Sequence, residues 1–318
     1  MPAEHAGASL EAPDLAIEVP GSIANLGAGF DTLAVAIQLY LRLRVRAAPG
    51  VNELHFQFTN LQLDGENYIE RAFRFLASQG GGSFPSLFIT VHSDIPTKAG
   101  LGSSAAATVA GLRLYEAIAG PLPPQGLLNA ACALEGHPDN VAAALLGGLT
   151  VSCQMPDRSV FAVCLPWPES LRFIVLTPKL SLSTYESRRA LPRRIAREDA
   201  VFNLQRVALF LQALQSGDFS LLREALHDRI HQPFRQKLVP GLEAALTLEH
   251  PDLLGVCLSG AGPSIVALAE RNFDAVERAL QRSFLPTGLE YTIRRLSAHT
   301  DSCTPAVMIP SAQESVTT

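Results

Sequence analysis

The hexapeptide GLGSSA at residues 100–105 puts two glycines and two serines at the head of an alanine-rich stretch, SSAAATVAGLRLYEAI (103–118). The first turn of a helix carries unpaired N–H groups and a partial positive charge, which makes it a natural seat for phosphate. Glycines at 100 and 102 would leave the backbone bare for a large anion. The hydroxyls of Ser103 and Ser104 can cap the helix, bind phosphate or ligate Mg²⁺. Taken alone, the same residues also suit the plain cap of a buried helix, and the chain has no GxxxxGKS or GxxxxGKT loop. Two more small-residue turns shift the balance. VPGSIANLGAGFDTLAVAI (19–37) sets Asn25 and Asp31 around a glycine-rich turn, and LSGAGPSIVAL (258–268) turns between two strands. Glycine turns so far apart, each edged with polar side chains, predict one cleft lined by both halves of the chain.

The elements that must position these turns read as mixed α and β. LAIEV (15–19), LAVAIQLYLRLRVRA (33–47), LHFQF (54–58) and PSLFITVHSDIP (85–96) have strand patterning. In the second of these, Leu39, Leu41, Leu43 and Val45 alternate with Arg42, Arg44 and Arg46, predicting a half-exposed strand. ENYIERAFRFLASQGGG (66–82) is an amphipathic helix stopped by glycines. Helices follow at 103–118, 124–135 and 139–148, two of them almost without charge, as expected of helices buried on most sides. Segments within 150–177 read as consecutive antiparallel strands. DAVFNLQRVALFLQALQSG then predicts a long helix with Val201, Leu204, Val207, Ala208, Leu211 and Leu214 on one apolar face, ended by Gly217. Helices at 219–230 and 237–248, strands LGVCLSG and SIVALAE, helix FDAVERALQR and strand LEYTIRRL complete an α/β sandwich. The expected fold class is α+β in two domains, 14–170 and 171–297, with a loose start and a frayed polar tail at 298–318.

Composition narrows the function. With 318 residues, 47% hydrophobic and 17% charged, the chain can bury a sizeable core. A net charge of −5 and 7% aromatic residues argue against a nucleic-acid partner. The five cysteines, Cys132, Cys153, Cys164, Cys257 and Cys303, are scattered without a CxxC pair and read as core hydrophobes, not as a disulfide frame or zinc site. MPAEHAGASLEAPD lacks the basic and apolar regions of a signal peptide, and no apolar run approaches the ~20 residues of a membrane span. A cytoplasmic protein with no membrane partner is expected.

Together the segments resemble the GHMP small-molecule kinase superfamily, and within it the homoserine kinase family, in order from about residue 15 to 297. VPGSIANLGAGFDT resembles the first motif, IPTKAGLGSSAA the phosphate loop, and LSGAGPS the third superfamily motif. EGHPDNVAAALLGG, STYESRRALP and HDRIHQPFR resemble segments on the substrate side. Gly21, Ala28 and Lys98-Ala99 depart from the commoner residues of the first two motifs. The resemblance implies a two-domain GHMP kinase fold, with a ribosomal-protein-like N-terminal domain and a ferredoxin-like C-terminal α/β sandwich. It also implies phosphoryl transfer from ATP, with Mg²⁺, to the hydroxyl of L-homoserine. A kinase for another small alcohol and a non-catalytic ligand sensor are the competing readings. Family members are often dimeric, which leaves a homodimer open.

Residue by residue, the resemblance implies that Arg188 and Arg235 hold the substrate carboxylate and that Asn25 and Asp31 lie around its ammonium. His137, Asp139 and Asn140 would face the rest of the substrate, with Thr184 near the reacting end. ATP would lie along Pro96, Lys98, Ala99, Gly100, Leu101, Gly102, Ser103, Ser104, Ala105 and Ala106. Ser103 and Glu135 are the expected Mg²⁺ ligands, Glu135 being the sole glutamate between Gly120 and Asn140. No dedicated base is implied; Asn140 would orient a hydroxyl that attacks directly, because positioning and electrostatics can carry such a transfer.

Overall fold

The structure, a computed structural model, describes residues 15–63, 65–80 and 83–301, and the backbone of 307–308. The expected loose start and most of the expected tail lie outside the described residues. Strand β1 (Leu15–Ala24) pairs antiparallel with the long β2 (Leu33–Val51), with an irregularity between Pro20 and Gly21. Leu41, Leu43 and Val45 are at most 3% exposed while Arg44 and Arg46 face solvent, so the alternation read from sequence is the one observed. Strand β3 (Leu54–Phe58) leads through α1 (Tyr68–Gly80) to β4 (Pro85–Ser93), and β3 and β4 pair in parallel. Helices α2 (Ser103–Ala119), α3 (Pro124–Glu135) and α4 (Asp139–Leu146) follow, α2 and α4 packing on β1 and β2. The hairpin of β5 (Leu149–Gln154) and β6 (Val160–Leu165) extends this first sheet.

Strand β7 (Arg172–Pro178) does not continue that run. Pro166 and Pro168 interrupt the chain around buried Trp167, whose indole N–H bonds to Leu171 O, and β7 enters a second sheet. After α5 (Thr184–Arg189), α6 (Arg197–Ser216), α7 (Leu222–Ala225), α8 (Gln232–Arg235) and α9 (Leu242–Leu246) come β8 (Leu253–Leu258), β9 (Ile265–Ala269), α10 (Phe273–Phe284) and β10 (Tyr291–Leu296). The second sheet has the order β10-β7-β9-β8. Both of its faces are covered: Phe173 and Val175 join the large core shared with the first sheet, and Ile174 and Leu176 join a smaller core under α9 and α10.

Further expectations from the sequence differ from the structure. Helix α6 turns Asn203, Phe210 and Ala213 inward, leaving Val201 44% and Leu204 69% exposed. Buried Asn203 bonds to Ala28 O and to Asp228, and satisfying that amide sets the helix rotation in a way an apolar count does not register. The helices expected at 219–230 and 237–248 break into short turns. The Asp228 carboxylate takes the N–H groups of Ile230, His231 and Gln232 at 2.9, 2.9 and 2.6 Å, and Pro240-Gly241 separates α8 from α9. The segment expected to fray begins as sheet. His299 bonds through its N–H to Ala36 O and through its carbonyl to Gly148 N, and β11 (Val307–Met308) pairs with β6.

Cys132 and Cys257 are buried thiols, as expected of core hydrophobes. Cys153 is exposed, and Cys164 is disulfide-bonded, contrary to that reading. Among the described residues no helix is long and apolar enough to cross a membrane.

Candidate active site

A cleft of about 1050 Å³ is lined by both sheets' loops, and the three glycine turns meet in it. The turn before α2 holds Lys98, Gly100 and Gly102 at φ 53°, 75° and 72°. Three successive carbonyls of this turn are bound from behind. Ala99 O accepts from Ser264 N at 3.2 Å, Gly100 O from Ser259 Oγ at 2.6 Å, and Leu101 O from Ser22 N at 3.1 Å. In a trans peptide the N–H points opposite to the carbonyl. The N–H groups of Gly100, Leu101 and Gly102 therefore face away from these anchors.

The glycines have a reason that the sequence did not disclose. A Cβ on Gly100 would lie 2.4 Å from Ser259 O, and one on Gly102 would lie 2.2 Å from Ser22 Oγ and 3.2 Å from Asn140 Oδ1. The absent side chains make room for the other two turns, which lie against this one, and not only for a ligand.

At the α2 end of the cleft, the Glu135 Oε1 accepts from Ser104 Oγ at 2.7 Å and Thr108 Oγ1 at 2.8 Å, with Arg71 Nη2 4.0 Å away. The serine that reaches this carboxylate is Ser104; Ser103 lies on the cleft wall. The Asn140 Oδ1 accepts from Ser22 Oγ at 2.8 Å, while Asp139 Oδ1 accepts from Asn140 N at 2.8 Å and lies 3.2 Å from His137 Nδ1. Burial works against charge on His137, but the hydrogen bond to Asp139 and its negative charge outweigh this and raise the imidazole pKa above its ordinary value.

Across the cleft, Arg188 forms a two-point ion pair with Asp31, at 3.0 and 2.6 Å. Asp31 sits at φ 53° in the turn that Asn25 closes, since Asn25 Oδ1 accepts from Asp31 N and Asn25 Nδ2 donates to Gly260 O. Arg235 is 2% exposed and donates from Nη1 to Gly260 O at 2.8 Å, and its Nε is buried without a hydrogen-bond partner. Burial, and then the neighbouring Arg188, pull its pKa down to about 10. Both guanidinium carbons lie 5.5 Å from the Phe30 ring centroid. Thr184 stands on the wall as the first residue of α5, within the Ser183–Glu186 capping box.

The chain matches the models for the GHMP kinases N terminal domain over residues 67–148 and for GHMP kinases C terminal over 210–286. Homoserine kinase from Solibacter usitatus is 38% identical over 275 residues, which is 86% of this chain and 90% of that protein. Homoserine kinase from Thermus thermophilus is 40% identical over 279 residues, 85% of this chain and 92% of that one. The chain belongs to the homoserine kinase family. A crystal structure of homoserine kinase from Cytophaga hutchinsonii superposes with a TM-score of 0.79 at 26% identity, covering 92% of this chain and 97% of that one. The two-domain GHMP kinase architecture is thus shared along nearly the whole length.

Most of the residues that this homoserine kinase family member was expected to use line the one cleft: Asn25, Asp31, Pro96, Lys98, Ala99, Gly100, Gly102, Ser103, Ser104, Ala105, Glu135, His137, Asp139, Asn140, Thr184, Arg188 and Arg235. Leu101 and Ala106 do not; both are 0% exposed and belong to the large core. Phe30, Ser22, Thr108, Arg71 and His231 were missed. Phe30 lies between Gly29 and Asp31 in the first motif, and that position was its one visible signal. Ser22 and His231 likewise lie inside the segments VPGSIANLGAGFDT and HDRIHQPFR, whereas Thr108 and Arg71 are tied to the site only through Glu135.

Proposed function

We propose that this chain transfers the γ-phosphoryl group of ATP to the hydroxyl of L-homoserine, giving O-phosphohomoserine and ADP. The observation that carries this reading is Arg235. It is a guanidinium with 2% exposure, and no carboxylate within ion-pair distance of it is found among the described residues. A cation buried in that way calls for an anion from outside. Beside it, Asp31 and Arg188 already form a paired negative and positive charge, matching the ammonium and carboxylate of an amino acid. The anion seat at Gly100–Ser104 lies on the same cleft.

In this reading the backbone N–H groups of the Gly100–Ser104 turn hold the phosphates of ATP. Arg188 and Arg235 take the substrate carboxylate, Asp31 and Asn25 the ammonium, and Asn140 and Thr184 steer the hydroxyl toward the γ-phosphorus. Glu135 and the hydroxyls beside it are hard oxygen donors of the kind Mg²⁺ takes, with one carboxylate plus phosphate oxygens. When bound, Mg²⁺ would neutralise charge on the transferring phosphoryl group. Asp139 is committed to His137 and to the first turn of α4. That commitment supports direct attack by the hydroxyl, whose proton leaves with the phosphate or to water. A reaction between ATP and a free amino acid belongs in the cytoplasm.

ADP release measured with homoserine, threonine, mevalonate and no acceptor tests the reading. Turnover stimulated by homoserine is the expected result. Stimulation by mevalonate, or by none of the three, overturns it.

A further inference from the structure

We infer that His231 is a positioning residue for the substrate carboxylate: as a neutral imidazole protonated at Nε2, it aims the Arg235 guanidinium. The inference rests on the homoserine kinase reading above. His231 is fully buried and touches two of the segments that build the carboxylate end of the cleft. Its Nε2 lies 2.8 Å from Gly27 O, and its Nδ1 lies 3.2 Å from Arg235 Nη1. A carbonyl only accepts, so Nε2 carries the hydrogen. A guanidinium only donates, so Nδ1 offers a lone pair. The two neighbours together fix one tautomer.

The consequence lies in which atoms of Arg235 remain. Nη1 has two hydrogens, and both are taken, one by His231 Nδ1 and one by Gly260 O at 2.8 Å. The rotation of the planar group is then fixed, and the Nε–Nη2 edge is left for a ligand. That edge is the fork that meets a carboxylate with two parallel bonds. The buried Nε without a partner belongs to it.

His231 is itself held on several sides. Asp228 takes its backbone N–H at 2.9 Å, and Asp228 Oδ2 stands 3.6 Å from Nε2. The ring stacks on Phe30 at 5.3 Å, and Phe30 also underlies both arginines. The four-residue spacing from His231 to Arg235 puts both on one face of the α8 turn. A substitution at 231 would thus change how Arg235 is aimed without touching the phosphate loop.

Two conservative variants separate this role from plain packing. In His231→Asn, Oδ1 can replace Nδ1 as the acceptor for Arg235, while the bond to Gly27 is lost. In His231→Gln, the side-chain N–H₂ can replace Nε2–H toward Gly27, while the acceptor for Arg235 is lost. The expected result is that His231→Gln raises the KM for homoserine roughly tenfold or more, the effect of losing one bond to a charged group. His231→Asn should stay within about threefold of wild type, with kcat and the KM for ATP nearly unchanged in both. Equal effects of the two variants, a larger effect of Asn than Gln, or a fall in kcat at constant KM overturns the inference.

A second measurement needs neither a variant nor activity. Long-range ¹H–¹⁵N NMR of the wild-type protein should show His231 as the neutral Nε2–H tautomer at pH 7, and an Nδ1–H or charged ring overturns the inference. If wild type shows no homoserine-stimulated turnover, the functional reading fails on its own, while the tautomer still tests the link between His231 and Arg235.

Discussion

Replacing Gly102 with alanine tests why the turn before α2 is built from small residues. The new Cβ would lie 2.2 Å from Ser22 Oγ and 3.0 Å from Ser22 N, at a backbone φ of 72°. A left-handed conformation costs an L-residue about 1–2 kcal/mol, and overpacking a tight site costs about 1–3 kcal/mol, so Gly102→Ala should destabilise by about 2–5 kcal/mol. Urea unfolding measures this directly. Ser22→Ala alone should cost about 1 kcal/mol, because Asn140 Oδ1 loses the hydroxyl that now donates to it at 2.8 Å. The same substitution also removes the atom that Gly102→Ala would strike. In a Ser22→Ala background, Gly102→Ala should therefore cost at least about 1 kcal/mol less than in wild type, while the backbone part of the penalty stays. Strictly additive effects would refute the close approach to Ser22 as the cause. So would a Gly102→Ala protein with wild-type stability and a raised KM for ATP alone, the result expected if the glycine served only to admit phosphate.

Two more outcomes are expected. His137 has a pKa above its ordinary 6.5, so the stability it contributes is fully present below that value and is lost as the pH rises through the folded-state value. Asp139→Asn should lower the His137 pKa in an NMR titration and flatten that limb of the stability profile; an unmoved His137 would show that Asp139 is not the cause. Glu135→Gln keeps an oxygen for Ser104 and Thr108 but removes the charge. Unfolding stability should change by less than about 1 kcal/mol. The kcat should fall by about 100-fold or more, with a higher Mg²⁺ requirement. Unchanged Mg²⁺ dependence would refute the proposed role of Glu135 as a metal ligand.

Three glycine turns, the strand alternation of Leu41, Leu43 and Val45, and the nearly uncharged helices that follow GLGSSA were legible because each is a local pattern of residue types. Spacing along one element reports which side chains can share a face. The rotation of α6 was not legible in that way. Its apolar residues fit more than one face, and the choice fell to buried Asn203, whose partners Ala28 and Asp228 are distant in sequence or outside the helix. Nor could the sequence tell that Leu101 and Ala106 face the core while their neighbours line the cleft.

What the sequence by itself determined was the family, the three glycine turns, and most of the polar residues that the fold gathers into one cleft. The tertiary structure alone decided how those residues are partnered. Gly100 meets Ser259 across 159 positions, Asp31 meets Arg188 across 157, and His231 meets Gly27 across 204. A buried polar group must find its partner wherever the fold brings one near, and one-dimensional spacing holds no record of that distance.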